Sequence, residues 1–363
     1  MEEIIKIGNQ DVVNDFLSKI RGKKPLFLCI IGNTETAKIP GISAAGANPE
    51  ITDFTPAADV EYLYYGKCKC IDGVPITPDG IPTPGLITKA SLDLANIPIM
   101  VGVGGVCIIP QAPIIDFGGS PGGDISNGQA VKNPQIVFEN AKIFGKLISK
   151  MVDYLVVGES IAGGTTTALG VLTAMGYDAN DKISSSLPVN PIEQKMKAIN
   201  SGMKKIKINA GDLKYEPFKA IEFLGDPMQP AHAGIVVGAA ASIPIILAGG
   251  TQMSAILAII NALNPEVLGN VSIGTTRWII NDEKTDLKGI IDQINPDIPI
   301  LAANLSFGKM KHKGLQSYEK GVVKEGVGAG GSVIASMLSS NGNITIEQIQ
   351  QKIEKDYETI NDL

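Results

Sequence analysis

Short apolar runs recur along the chain, and each ends in glycine or small polar residues: PLFLCII (25–31), IPIMVGVGGV (97–106), DYLVVG (153–158), IPIILAGG (243–250), VSIGTT (271–276) and IPILAANLSF (298–307). Continuous apolar runs of this length mark strands buried on both faces; half-exposed strands alternate instead. Between the runs lie segments with helical spacing of apolar residues, at 134–151, 165–175, 191–200, 230–241, 251–263 and 285–294. In the first of these, Ile136, Val137, Ala141, Ile143, Phe144, Leu147 and Ile148 are expected on one broad buried face. Strands alternating with helices predict an α/β fold, with a mostly parallel, Rossmann-like sheet covered by helices on both faces. A further helix is expected over 11–20, and two more after residue 331, split by SSNGN (339–343). The expected organisation is a large α/β domain over 25–330 and a small helical satellite built from the two termini, 1–24 and 331–363.

Composition narrows the function. The net charge is −6 and aromatic residues make up 5%, so neither a basic stripe nor a stacking platform for nucleic acid is expected. The N-terminus MEEIIKIGNQ is acidic and mixed, unlike a secretory signal, and no apolar run reaches the ~18 residues of a membrane span. A cytoplasmic protein with no membrane or nucleic-acid partner is the expectation. The two histidines, His232 and His312, are far apart, and Cys68-Lys69-Cys70 is too tight for a C-x-x-C motif. No metal site and no cofactor are expected, and the cysteines, with Cys29 and Cys107, read as small apolar side chains.

In a parallel sheet, ligands bind beyond the carboxyl ends of the strands. The segments there are GNTET, GVGGV, GESIAGG, AGGTQ and GTT. GVGGV (102–106) offers the first two glycines of a dinucleotide fingerprint, but Cys107 stands at the third, and Pro110 and Pro113 prevent a following helix. GESIAGGTTT (158–167) lacks the lysine of a nucleotide-hydrolysing loop yet carries Glu159. Backbone amides of Gly163 and Gly164, with Thr165 and Thr166 at a helix start, would make an anion cradle. Glu325 sits in KEGVGAGG (324–331), where glycines would let the backbone approach a ligand and the carboxylate would be desolvated enough to act as a base. A helix-start glutamate favoured by the macrodipole accounts for it equally well on local grounds. GDPMQPAHAG (225–234) reads as a helix start more readily than as a binding loop.

Together these motifs resemble the nicotinate-nucleotide:dimethylbenzimidazole phosphoribosyltransferase family, and most closely its archaeal branch. Bacterial members carry Gly-Glu-Met-Gly-Ile-Gly-Asn-Thr-Thr where this chain has Gly158 to Thr166, and their catalytic glutamate lies in a Gly-Glu-Gly-x-Gly-Ala turn matched by Lys324 to Ala329. A Gly-Val-Ser segment that lines their benzimidazole pocket resembles Gly41-Ile42-Ser43, and a polar residue further on falls near Thr52 or Asp53. A loop followed by a phosphate-binding lysine resembles Ser184 to Ser186 followed by Lys195. The chain departs from the bacterial pattern at Ile161, at Gly164, which replaces the asparagine, and at Ser184 to Ser186, which replace a glycine-rich run. The resemblance implies transfer of the phosphoribosyl group of nicotinate mononucleotide to a benzimidazole-type base. Glu325 and Glu159 would be the catalytic residues. Gly163, Gly164, Thr165, Thr166, Ser184 and Lys195 would hold the phosphate, and Ser43, Thr52 and Asp53 would lie at the base. It implies a homodimer without a cofactor. A non-catalytic phosphosugar-binding protein and an enzyme using another phosphoribosyl donor are the alternatives.

Overall fold

A computed structural model of the chain describes residues 3–43, 49–73, 76–77 and 80–361. Its strands are β1 (Ile4–Ile7), β2 (Pro25–Gly32), β3 (Ile99–Gly105), β4 (Ile115–Asp116), β5 (Tyr154–Ser160), β6 (Ile245–Ala248), β7 (Val271–Thr276) and β8 (Ile300–Ala303). They form a single sheet in the order β1-β8-β7-β6-β5-β2-β3-β4. All neighbours run parallel except β1, which pairs antiparallel with β8 as an edge strand. The α/β architecture with a mostly parallel sheet is therefore as the strand rhythm anticipates. The chain's N-terminal segment adds β1, which that rhythm does not announce.

Side-chain alternation divides the core in two. Leu26, Leu28 and Ile30 of β2 face one helical layer, while Phe27, Cys29 and Ile31 face the other. Helices α1 (Gln10–Ile20), α2 (Thr55–Tyr65) and α3 (Gly85–Ala95) cover the second face. The chain then builds the first layer with α4 (Pro134–Ile148), α5 (Gly164–Ala174), α6 (Ile192–Ile206), α7 (Pro217–Leu224), α8 (Met228–Ala239), α9 (Met253–Leu263) and α10 (Leu287–Ile294). Finally α11 (Ala329–Ser339) and α12 (Ile346–Asn361) return to the second face. Among the described residues no helix is long and apolar enough to cross a membrane.

The strand order reverses at β2: the chain winds outward through β3 and β4 on one side and through β5 to β8 on the other. Such a switch point opens a crevice at the carboxyl ends of the two central strands. Here they are β2 and β5, whose register sets Ile30 opposite Glu159 and Ile31 opposite Ser160.

Helix α4 corrects the expected apolar face. Val137, Phe138, Ala141, Gly145 and Ile148 are buried, whereas Ile136, Ile143 and Leu147 are more than half exposed. The reason is a glycine seam with α8. A Cβ on Gly145 would stand 2.4 Å from the Ile235 carbonyl oxygen, and one on Gly238 would stand 2.2 Å from that of Lys142. Backbones this close leave only a narrow buried stripe. The expected consequence at Gly234, where a Cβ would meet the Phe138 carbonyl oxygen at 2.3 Å, is an inverted response to alanine. Gly234→Ala should lower stability by ~1–3 kcal/mol, against the ~0.5–1 kcal/mol gain usual in a helix interior. A lower urea midpoint at unchanged slope checks it.

Candidate active site

A cavity of about 1200 Å³ opens at the switch point. It is lined by Glu159, by the turn Gly163-Gly164-Thr165, by Ser184 to Ser186 and by Glu325, together with apolar side chains including Ile42, Phe54 and Ile81.

The anion end begins with Gly163, held in the left-handed region at φ 77, which turns the chain from β5 into α5. The first amides of α5 have no intrahelical acceptor by construction, so its N-terminal turn presents donors and a positive dipole end to the cavity. Thr166 does not share this role: its amide donates to the Gly163 carbonyl (2.9 Å), and its hydroxyl is buried away from the cavity lining. Behind the turn stands Lys195, on α6 and fully buried. Its Nζ donates to the Ser184 carbonyl oxygen (2.7 Å) and to Thr165 Oγ1 (3.1 Å). Among the described residues no carboxylate pairs with it. Burial, with the charge of Lys324 added, pulls its pKa down to about 7. Ser184 is fixed by Thr251, whose Oγ1 accepts from the Ser184 amide (2.8 Å). The lysine missing from the glycine loop is thus supplied by a later helix.

Two carboxylates face the same space. Glu159 is buried at the end of β5, and its Oε2 accepts from the Ile161 amide (3.1 Å). Its pKa lies well above the ordinary value, first through burial and then through the charge of Glu325. Glu325 sits before α11; its carboxylate oxygens each accept from the Gly330 amide (3.2 Å), and Oε1 also accepts from Gly326 (3.2 Å). Burial pushes its pKa up to about 7 against these donors, which pull it down. Burial and mutual repulsion disfavour ionisation of both carboxyls together; Glu159 is held toward its neutral form, and Glu325 is pushed up to about 7.

The turn that presents Glu325 is strained. Val323, Lys324 and Val327 all lie at positive φ, between 52° and 65°, a region that residues other than glycine rarely adopt and β-branched ones avoid. It is pinned by the Val323 amide donating to the Ser186 carbonyl (3.1 Å) and by the Lys324–Asp282 ion pair. Its glycines divide. Gly326 lines the cavity, as expected, whereas the other three admit the sheet: a Cβ on Gly328 would meet Phe27 and the Gly158 Cα, one on Gly330 the Thr275 backbone, and one on Gly331 the Ala248 Cβ.

On the base side, Ser43 lines the cavity. Thr52 is buried outside the lining, and Asp53 is held by Lys38 (2.9 Å), also outside it. Residues 44–48 lie outside the described residues. Asp226 of the GDPMQPAHAG segment starts α8, accepting from the amides of Met228 (3.0 Å) and Gln229 (3.2 Å). Two residues not singled out from the sequence, Asp59 and Gln252, join the site. Asp59 of α2 accepts from Ser160 Oγ (2.7 Å) and Thr83 Oγ1 (2.8 Å), tying the end of β5 to the start of α3. Its only signal is an acidic pair, Asp59 and Glu61, on an otherwise mostly small and apolar helix stretch, TPAADVEYL. Gln252, before α9, lines the cavity, and Lys324 stands beside Glu325.

Relatives span nearly the whole chain. A UPF0284 protein of Methanothermobacter thermautotrophicus is 43% identical over 350 residues, covering 95% of this chain and 96% of the relative. One from Sulfurisphaera tokodaii is 46% identical over 338 residues, covering 93% and 94%. The chain belongs to the UPF0284 family. Among solved structures it is similar to CobT from Thermus thermophilus (TM-score 0.57, 14% identity, 90% of this chain and 89% of that one). It is equally similar to a nicotinate-nucleotide-dimethylbenzimidazole phosphoribosyltransferase structure from the same organism (TM-score 0.56, 15% identity, 92% and 90%). At these identities the UPF0284 chain shares their fold, which is the fold the sequence motifs point to. No family model matches the chain.

Lys195 gives the site a measurable signature. Its folded pKa is depressed from 10.5 to about 7, so the folded protein is penalised for the charged lysine below pH 10.5, and most fully below pH 7. Lys195→Met should therefore raise the melting temperature by several degrees near pH 6–7, the gain shrinking toward pH 10. Inorganic phosphate should stabilise the wild type and not the variant, read by thermal unfolding with and without the anion.

Proposed function

We propose that this UPF0284 protein transfers the phosphoribosyl group of nicotinate mononucleotide to a benzimidazole-type base. The observation that carries the reading is one cavity lined by a phosphate-type helix turn, backed by a buried lysine with no carboxylate partner among the described residues, and by two coupled carboxyls. Its volume, about 1200 Å³, exceeds the roughly 300–1,000 Å³ of a single-ligand pocket and suits a donor and an acceptor together. The fold shared with the Thermus thermophilus phosphoribosyltransferase supports the same reading.

In this reading the phosphate lies against Gly163, Gly164 and Thr165, with Lys195 charged behind them once the anion is bound, and Ser184 holds the lysine in place. Thr166 contributes to the helix turn rather than to the ligand. The base occupies the apolar end beside Ser43, while Thr52 and Asp53 shape the wall from behind. The C1′–N bond to nicotinate breaks with its electron pair leaving on the pyridine nitrogen, and a nitrogen of the incoming base forms the new bond from the opposite face. The proton from the other nitrogen of the base passes to Glu325, which is ionised above about pH 7 and open to the cavity. Burial and the charge of Glu325 favour the neutral form of Glu159 in the empty site. A bound pyridinium cation favours its ionised form, giving a negative charge that opposes the positive charge building at C1′. The products are nicotinate and an α-riboside phosphate, a nucleotide precursor of a cobamide lower ligand. A pair of chains belongs to the same reading, and the uncovered row Ile136, Ile143, Leu147 and Met151 offers an apolar face for it.

Turnover of nicotinate mononucleotide with a panel of benzimidazoles tests the reaction. Saturable nucleotide binding without product for any acceptor would replace the enzyme with a binding protein. Glu325→Gln should lower kcat by about 10²–10⁴-fold with little change in KM for the nucleotide.

The pH dependence has a defined sign. The base must be deprotonated, so kcat at saturating nucleotide should rise with pH and level off, with a midpoint at or below the free-site value of about 7. Bound phosphate keeps Lys195 charged across this range, so the limb belongs to Glu325 and should vanish in Glu325→Gln.

A further inference from the structure

Gln252 stands at the end of the β6 segment with 8% of its surface exposed, and it lines the cavity. Among the described residues its side chain makes no hydrogen bond, although a carboxamide offers two donors and an acceptor. A carboxamide that faces a cavity with its donors and acceptor uncommitted is available to a ligand. Its location is defined by Gly164: a Cβ there would stand 2.4 Å from Gln252 Oε1 and 2.9 Å from Ile161 Cγ2. The carboxamide therefore occupies the space that a side chain at position 164 would fill. Any residue but glycine at 164 would compete with it.

The neighbours say what it can reach. On one side is the N-terminal turn of α5, the anion end of the cavity. Two residues earlier in the chain, Gly250 lies against Glu325, its Cβ position 3.7 Å from the Glu325 Cβ. In a nucleoside monophosphate the sugar spans the stretch between phosphate and glycosidic bond. We propose that the Gln252 carboxamide binds the ribose hydroxyls of the ligand, donating to one oxygen and accepting from the other, and that Gly164 is glycine to leave room for it. The assignment rests on the phosphoribosyl reading for its ligand class, but on this pair of residues for its geometry. The carboxamide that the bacterial loop pattern carries at position 164 is here supplied from a different strand end.

The test uses ribose 5-phosphate and inorganic phosphate as probes, with binding measured by calorimetry on the wild type, Gln252→Ala, Gly164→Asn and the double variant. The expected result is that Gln252→Ala weakens ribose 5-phosphate about tenfold and leaves phosphate unchanged, so the phosphate arm also reports that the variant is folded. Gly164→Asn should weaken the sugar phosphate in the wild type, by displacing Gln252, and strengthen it in Gln252→Ala, by restoring a carboxamide to the same space. Such a reversal of sign is the mark of two side chains sharing one position. Equal ribose 5-phosphate affinity in wild type and Gln252→Ala would overturn the proposal. So would an asparagine effect of the same sign in both backgrounds, or a wild type that binds ribose 5-phosphate no better than phosphate. Gln252-dependent binding in a protein that turns over no nicotinate mononucleotide would uphold the proposal while removing the proposed reaction.

Discussion

Everything at the site depends on how closely backbone can approach backbone around the β2–β5 pair. Gly158, in the middle of β5, has no side chain where the chain at Gly328 crosses it: a Cβ on Gly158 would lie 2.9 Å from the Gly328 Cα and 3.0 Å from the Phe27 ring. Because that space is empty, the first turn of α11 lies directly on the sheet. Gly330 then presses on the end of β7, and its amide reaches the Glu325 carboxylate. One residue after Gly158 comes Glu159. The contact that seats α11 is therefore also the contact that brings the two glutamates within electrostatic reach. A bulkier residue at either glycine would lift the helix and separate them.

That convergence leaves charge uncompensated. Glu159, Glu325 and Lys195 are all buried or enclosed, all shifted toward neutrality, and none forms an ion pair among the described residues. Isolated buried charges oppose folding. Elsewhere the chain pairs its ions in the ordinary way, as with Lys38 between Glu35 and Asp53, or Arg277 with Glu319. Asp59 and Asp226 are likewise buried, shifted toward the neutral form and without an ion pair among the described residues, and both stand within electrostatic reach of Glu159. The core of the two helical layers holds the structure against them, and the left-handed residues Val323, Lys324 and Val327 keep the Glu325 turn in place at further cost. A ligand carrying both a phosphate and a positive ring supplies what each group lacks: an anion for Lys195, a cation for Glu159.

The strand rhythm is legible because burial on both faces leaves a continuous apolar signature. β7 falls on the very residues its apolar run occupies, and β5 continues only to Ser160 beyond the run at 153–158. β1 is not legible: an edge strand of IIKI, half-buried, has neither the alternation nor the length to stand out. The buried face of α4 escapes the sequence because hydropathy cannot show that glycines, and not isoleucines, make its closest contact. At the site, residues sharing a segment with a glycine motif can be found, as Glu159 and Glu325 are. Asp59 and Gln252 cannot, since each reaches the cavity from an element whose local pattern serves another purpose, α2 packing on the core and α9 beginning its first turn. The glycines of KEGVGAGG are visible but ambiguous. Close approach to a ligand and close approach to a strand ask for the same residue.

A glycine loop with a carboxylate and no lysine is thus intelligible only with its neighbours. Successive segments contribute to the same volume: β5 the helix turn and Glu159, the chain after α5 the serines, the end of β6 the carboxamide, and the return to α11 the second glutamate, while the lysine of α6 stands behind the turn, outside the lining. A site assembled this way tolerates change in any single segment, because a group lost from one can be replaced from another that points into the same space. The departures at Gly164 and at Ser184 to Ser186 have this character. Gly164 gives up a side chain where Gln252 brings one, and Ser184 uses its backbone carbonyl, not a glycine turn, to hold Lys195. What cannot move is the geometry the pieces share, since the distance between the anion end and Glu325 is set by the pairing of β5 with β6 and β6 with β7. In the proposed reading a nucleotide spans that distance, and the sheet fixes it.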